Sequence, residues 1–296
     1  MIIATLVSPL PVLNDVLVAQ AFDALKHEGG EIADTLALEP LYAVDIRFNG
    51  PSLAVARLAL TKALHGAPVD VFVQPTAHRT KKMLIADMDS TMITIECIDE
   101  LADYVGKKAD VAQITEAAMR GDLDFVAALD ARVALLAGLH EDVLQQCYDT
   151  RLHYTAGART LVQTMAMHGA HTVLVSGGFS FFTKRVAAHL GFRVERSNTL
   201  RVENGFLTGD VDRPIVTAET KRQTLLDEAQ RHRCTAKDCL AVGDGANDIP
   251  MIETAGLGVA FHAKPKTIAA AGAAIVHGDL TALLFAQGYS QKDWVG

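Results

Sequence analysis

Five short apolar runs, each ending where a polar residue or glycine takes over, constrain this sequence more than any other feature in it. They are MLIAD (83–87), TVLVSGG (172–178), CLAVGDG (239–245), LGVAF (257–261) and AAIV (273–276). Continuous apolar runs suit strands covered on both faces, and strands that alternate with helices build a parallel sheet in an α/β domain. Open sheets of this kind take their ligands outside the carboxyl ends of the strands, so the residues that end each run are read together.

Asp87 and Asp89 follow the first run, Ser176, Gly177 and Gly178 the second, and Asp244, Asn247 and Asp248 the third. Two carboxylates one residue apart repel each other, and burial disfavours their charged forms, so a cation is expected beside them. A hard ion such as Mg²⁺ prefers oxygen ligands, which Asp87 and Asp244 can supply from two strands. The glycines let backbone N–H groups approach an anion, and Ser176 and Asn247 add side-chain hydrogen bonds. Each stretch alone reads better as a helix cap or a turn; their joint appearance at strand ends reverses that balance and points to a site.

The chain has 35 acidic and 27 basic residues, a formal charge of -8, and its bases are scattered. That pattern lacks the clustered positive surface of a nucleic-acid or anionic-membrane binder, so neither is expected as a partner. An anionic ligand therefore needs a local positive group. Lys221 qualifies, because Thr220 and Gln223 have capping-box spacing, which puts Lys221 in the first turn of a helix, against the macrodipole. The four cysteines show no paired spacing and read as reduced thiols. The N-terminus lacks a basic leader and no apolar run reaches membrane-spanning length, which predicts a cytoplasmic protein. His168 and His171 straddle a helix-to-strand turn and read as surface residues rather than a metal pair.

At 296 residues there is room for two domains. Residues 1–80 read βαββαβ, the split pattern of a ferredoxin-like α+β fold, and residues 81–296 carry the parallel sheet. About 60 residues of helical periodicity follow the first strand of that sheet, too many for an ordinary connection, and predict a helical cap at about 93–153.

The stretch DMDST resembles the D-x-D-x-T signature of the haloacid dehalogenase-like superfamily, VSGG its second motif, Lys221 its third and GDGANDIPM its fourth. Within it, DMDSTMITIECIDELA, LDFVAALDARVALLAGL, VLVSGGFSFF and AVGDGANDIPMIETAGLGVAFHAKP resemble the phosphoserine phosphatase family. The resemblance implies a Rossmann-like sheet, a Mg²⁺ cofactor and hydrolysis of the small molecule phosphoserine through an aspartyl-phosphate, the last step of serine biosynthesis. It implies Asp87 as nucleophile, Asp89 as general acid and base, Ser176 and Lys221 as catalytic, and Asp87, Asp89 and Asp244 as metal ligands with Asp248 behind them. Substrate contacts would come from Glu96, Met119, Phe125, Arg132, Ser176, Gly177, Gly178, Lys221 and Asn247. One departure stands out: Asp130 replaces a base expected before Arg132.

Other readings remain. GDGAND begins like a dinucleotide-binding loop, but Asp248 stands where a small residue is needed. A signalling receiver also gathers acids and a Lys at a sheet end, although the cap and Asp89 favour turnover. A phosphatase or phosphotransferase for another small phosphomonoester is the alternative within the enzyme class. The first 80 residues resemble ACT-type domains, which bind amino acids. They carry Ser8-Pro9-Leu10-Pro11 where a Gly-rich turn would follow the first strand, so a structural role, with homodimerisation, is expected of them.

Overall fold

The computed structural model describes residues 1–120 and 122–296, with the backbone alone for Met119 and Arg120. The N-terminal part runs β1 (Ile2–Val7), α1 (Asp15–His27), β2 (Glu31–Glu39), β3 (Ala43–Asn49), α2 (Leu53–Ala63) and β4 (Asp70–Pro75). Its four strands form an antiparallel sheet in the order β2-β3-β1-β4. Asn14 starts α1 by accepting from the Val16 and Leu17 amides, and Ser52 starts α2 by accepting from Val55. Alternation along the strands splits their side chains between two faces. Leu6, Ile46, Phe48 and Val71 meet Leu25 and Leu60 of the two helices. Val7, Ala43 and Phe72 point the other way and join the larger core of the rest of the chain.

That second face also carries polar ties. Asp70, 3% exposed, accepts from the amides of Val276 at 2.8 Å, His277 at 3.1 Å and Gly278 at 2.8 Å. Gln74 donates to the Ala286 carbonyl at 2.7 Å, and Arg79 bridges Asp45 at 2.6 Å to the Phe285 and Ala286 carbonyls.

The larger part begins with β5 (Met83–Ala86), after which come α3 (Cys97–Tyr104), α4 (Lys108–Arg120), α5 (Phe125–Ala134), α6 (Asp142–Arg151) and α7 (Ala158–Met167). It continues through β6 (His171–Phe179), α8 (Ser180–Leu190), β7 (Val194–Asn198), β8 (Leu200–Glu203), β9 (Phe206–Val211) and α9 (Ala218–Arg231). It closes with β10 (Cys239–Gly243), α10 (Ile249–Thr254), β11 (Leu257–Phe261), α11 (Pro265–Ala270), β12 (Ala273–Ile275) and α12 (Ala282–Gln287). Six strands form a parallel sheet in the order β12-β11-β10-β5-β6-β7. The five apolar runs are its inner strands and one edge. β7, the other edge, reads VERSN and has no apolar signature, because an edge strand is only partly covered.

α3 to α6 form the helical insertion. The chain enters and leaves it side by side: Thr94 N–H donates to the His153 carbonyl at 2.9 Å and Thr155 N–H to Met92 at 3.0 Å. The β8–β9 hairpin, absent from the sequence expectations, stitches to this insertion through Leu207 N–H to Leu139 at 2.8 Å and Gly138 N–H to Leu207 at 2.9 Å. Among the described residues no helix is long and apolar enough to cross a membrane.

Candidate active site

β5, β6 and β10 lie next to one another, so their carboxyl ends bring the three polar stretches together. Asp87 follows β5 directly, and its N–H donates to the Val242 carbonyl of β10 at 3.0 Å. Lys221 reaches the same point from α9. Its Nζ lies 2.8 Å from Asp87 Oδ2 and 2.7 Å from Asp248 Oδ1, with the lysine only 1% exposed. The helix starts three residues earlier than the sequence suggests: Thr217, not Thr220, is the cap, accepting from the Thr220 amide. Lys221 still falls in the first turn, where Asp248 and Asp87 outweigh the dipole.

Asp248 is fully buried, with Oδ2 accepting from the Gly245 amide at 3.0 Å and Oδ1 from Lys221. Gly243 makes room for it, since a Cβ there would stand 2.4 Å from the carboxylate. Asp244 accepts from the Thr91 hydroxyl at 3.0 Å. Asp89 sits over Gly178, where a Cβ would come within 2.6 Å of its Oδ2, and its Oδ1 accepts from the Cys97 amide at the start of α3. Ser176 Oγ accepts from the Gly178 amide at 2.8 Å. A Cβ on Gly177 would lie 3.5 Å from Phe125 and 4.0 Å from the Asn247 amide nitrogen, which places the insertion and the β10 loop on either side of that glycine.

The electrostatics divide the carboxylates. Burial and Asp248 hold the Asp87 carboxyl well above its ordinary range, with Lys221 opposing them. Burial works against the charge on Lys221, but Asp248 and Asp87 outweigh it and hold the ammonium above its ordinary range. Burial, then the neighbouring charge of Glu96, raises Asp89 to about 7. Burial, then Asp248, raises Asp244 to about 7 as well. Asp87, Asp244 and Asp248 offer oxygens within 4.8 Å of one another. Three buried or half-buried carboxylates against one ammonium leave an excess of negative charge, and an all-oxygen donor set of this kind fits a hard divalent cation.

The insertion supplies a second group. Glu96 accepts from Ser90 Oγ at 2.6 Å, and burial raises its carboxyl. Arg132 Nε donates to the Ala128 carbonyl at 3.2 Å. Burial lowers its pKa, opposed by the charges of Asp99, Glu96 and Asp89. The side chain of Met119 lies outside the described residues. Asp130 turns away from the cleft and forms an ion pair with Arg213, both carboxylate oxygens 2.6 Å from Nη2.

Three positioning groups escaped the sequence reading. Thr91, part of DMDST, steadies Asp244. Asn198, 2% exposed at the end of the unanticipated β7, donates to the Gly177 carbonyl at 2.7 Å and accepts from the Val216 amide at 2.7 Å. Arg213 holds the insertion to the segment before α9. His171 is buried, not at the surface as expected, because Glu228 accepts from its ring at 2.9 Å.

The sequence profile of haloacid dehalogenase-like hydrolases matches residues 84–253. A phosphoserine phosphatase of Albidiferax ferrireducens is 46% identical over 224 residues, 74% of this chain and 94% of that one. Among solved structures, a haloacid dehalogenase family hydrolase from Salmonella enterica serovar Typhi superposes with a TM-score of 0.85 at 29% identity, covering 97% of this chain and 98% of that one. A probable phosphoserine phosphatase from Vibrio cholerae follows at 0.76 and 31% identity, covering 99% and 87%. With its motifs on adjacent strand ends and its relatives aligned across them, the chain belongs to the haloacid dehalogenase-like hydrolases, among the phosphoserine phosphatases.

Proposed function

We propose that this protein is a Mg²⁺-dependent phosphatase that hydrolyses O-phosphoserine to serine and phosphate through a phosphoryl group carried on Asp87. The observation that carries the reading is the unlike treatment of two carboxylates on one loop. Asp87 touches the Lys221 ammonium at 2.8 Å, while Asp89 is held near a pKa of about 7 by burial and Glu96. Burial raises both carboxyls, but only Asp87 has an ammonium in contact that favours its anion, while Asp89 is placed to trade a proton at neutral pH.

In the first half-reaction an Asp87 oxygen forms a bond to phosphorus as the bond to the seryl oxygen breaks, and Asp89 gives that oxygen its proton. In the second, Asp89 takes a proton from water, the water oxygen bonds to phosphorus and the Asp87–phosphorus bond breaks. Each step leaves Asp89 in the protonation state the other needs. Lys221, Ser176, the Gly177 and Gly178 amides and Asn247 are assigned to the phosphoryl oxygens, where positioned donors stabilise the charge spread over them.

The carboxylates of Asp87 and Asp244 and the main-chain carbonyl of Asp89 are the ligands assigned to Mg²⁺, with Asp248 holding Lys221 in place. When bound, the ion withdraws charge from the phosphoryl oxygens. Arg132 is assigned to the substrate carboxylate and Glu96 to its ammonium, with Phe125 and Met119 excluding water. Residues 1–80 and 81–296, with the insertion at about 93–153, are taken as the domains. Homodimerisation through the first domain is supported by the open edge of β2, where Leu36 is 54% exposed.

The test is phosphate release with Mg²⁺ from a panel of phosphoserine, phosphothreonine, glycerol phosphate and sugar phosphates. Preference for phosphoserine is expected, and equal rates across the panel would remove the substrate assignment.

A further inference from the structure

A second cluster of ligating side chains lies at the far end of α9. His171 opens β6, Glu228 is in the last turn of α9, and His232 caps that helix. Glu228 and His232 are four residues apart and so share a helix face, which β6 meets with His171. His171 Nε2 stands 2.9 Å from Glu228 Oε2, and His232 Nε2 stands 3.8 Å from the same oxygen. One ligand atom from each residue falls within 4.8 Å of the others. Lys221 lies seven residues before Glu228 and eleven before His232, about 10 and 16 Å along the helix at 1.5 Å per residue, and this cluster shares no ligand with the phosphatase site.

We infer that His171, Glu228 and His232 form a binding site for a divalent transition-metal ion that prefers nitrogen ligands, distinct from the all-oxygen catalytic centre. Two imidazoles and one carboxylate are the donor set that suits Zn²⁺, Co²⁺ or Ni²⁺ and serves Mg²⁺ poorly. Glu228 is oriented for the task, because Arg231 occupies its Oε1 at 2.6 Å and leaves Oε2 between the two histidines.

The His171 and His232 rings are stacked, with centroids 3.5 Å apart and planes 20° apart, so their lone pairs run nearly parallel. Convergence on one ion requires one ring to turn. His232, whose side chain is 45% exposed, is free to do so, while His171 at 7% is fixed. His171 Nδ1 is buried without a hydrogen-bond partner, so the ring proton can shift there as the metal takes Nε2. The bound ion ties the last turn of α9 to the first residue of β6, the strand that carries Ser176, and acts as a staple at the end of the sheet away from the chemistry.

Co²⁺ titration followed by visible absorption, in excess Mg²⁺, tests the site, because a four-coordinate ion with nitrogen ligands absorbs strongly and a six-coordinate oxygen site weakly. A strong band that saturates stoichiometrically is expected in the wild-type protein and in Asp244→Asn. In His232→Ala, a change at a half-exposed position, the affinity should fall at least tenfold. Zn²⁺ in excess Mg²⁺ should raise the melting temperature of the wild type and not of His232→Ala. Absence of the band, a band unchanged by His232→Ala, or a band lost in Asp244→Asn would overturn the inference.

Discussion

Replacing Lys221 with Met removes the cation that lies buried between Asp87 and Asp248. The ammonium lies 2.8 Å and 2.7 Å from the two carboxylates and is 1% exposed, so no solvent takes its place. Breaking a buried pair by deleting one partner costs about 3–5 kcal/mol, since the remaining charge is left desolvated and uncompensated. Met matches the volume closely, so little of the loss should come from a cavity. The deficit has a defined pH dependence. Without Lys221, burial and the Asp248 charge hold the Asp87 pKa further above its unfolded value, and the folded state binds more protons than the unfolded one. Stability of the variant therefore rises as pH falls through that raised pKa. Urea unfolding in a chelator at pH 8 and pH 6 measures both effects: a deficit of about 3–5 kcal/mol at pH 8 and a smaller one at pH 6 are expected. Phosphate release should drop by about 10²–10³-fold, the loss of one positioned donor. Parent-like stability at pH 8, or a deficit that grows on acidification, would refute the placement of Lys221 between two buried anions.

Arg132→Ala should cost about 1.5–3 kcal/mol in kcat/KM for phosphoserine and much less for phosphoethanolamine, which lacks the carboxylate; equal losses would make Arg132 a packing residue. Asp70→Ala leaves the amides of Val276, His277 and Gly278 without their acceptor, so urea unfolding should show a loss on the order of 3 kcal/mol, and a change below about 0.5 kcal/mol would mean that water replaces the carboxylate. Lys81 is 4% exposed, and burial lowers its pKa to about 8. Between that value and its unfolded one the unfolded state holds more protons, so stability should rise with pH from about 8 upward, by at most ~1.4 kcal/mol per unit, and Lys81→Met should flatten the rise.

The parallel sheet was legible because its inner strands are covered on both faces and must be apolar, and because three of them end in residues that burial makes expensive. That Asp87, Asp89, Ser176, Asp244 and Asp248 meet at adjacent strand ends was legible that way. β7 was not, since an edge strand can be VERSN, and with it went Asn198, which fixes Gly177. The β8–β9 hairpin does carry a local signal, Asn204-Gly205 between two short strands, which the apolar-run criterion passes over. The Asp130–Arg213 pair was hidden for another reason: it joins segments far apart in sequence, and no local periodicity marks such a contact. Asp130 looked like a lost base in the insertion, and the fold shows an acid used to hold Arg213. The N-terminal βαββαβ order followed from local patterning, but its docking rests on Asp70, Gln74 and Arg79, ordinary polar residues until their partners some 200 positions away are known.

The proposed mechanism requires Asp87 to carry the phosphoryl group. Asp89→Asn keeps the nucleophile and removes the group that activates water, so an acid quench after exposure to ³²P-phosphoserine and Mg²⁺ should leave label on the protein, and peptide mapping should place it on Asp87. The double variant Asp87→Asn/Asp89→Asn should carry none. Label on another residue, or label that survives in the double variant, would contradict the mechanism.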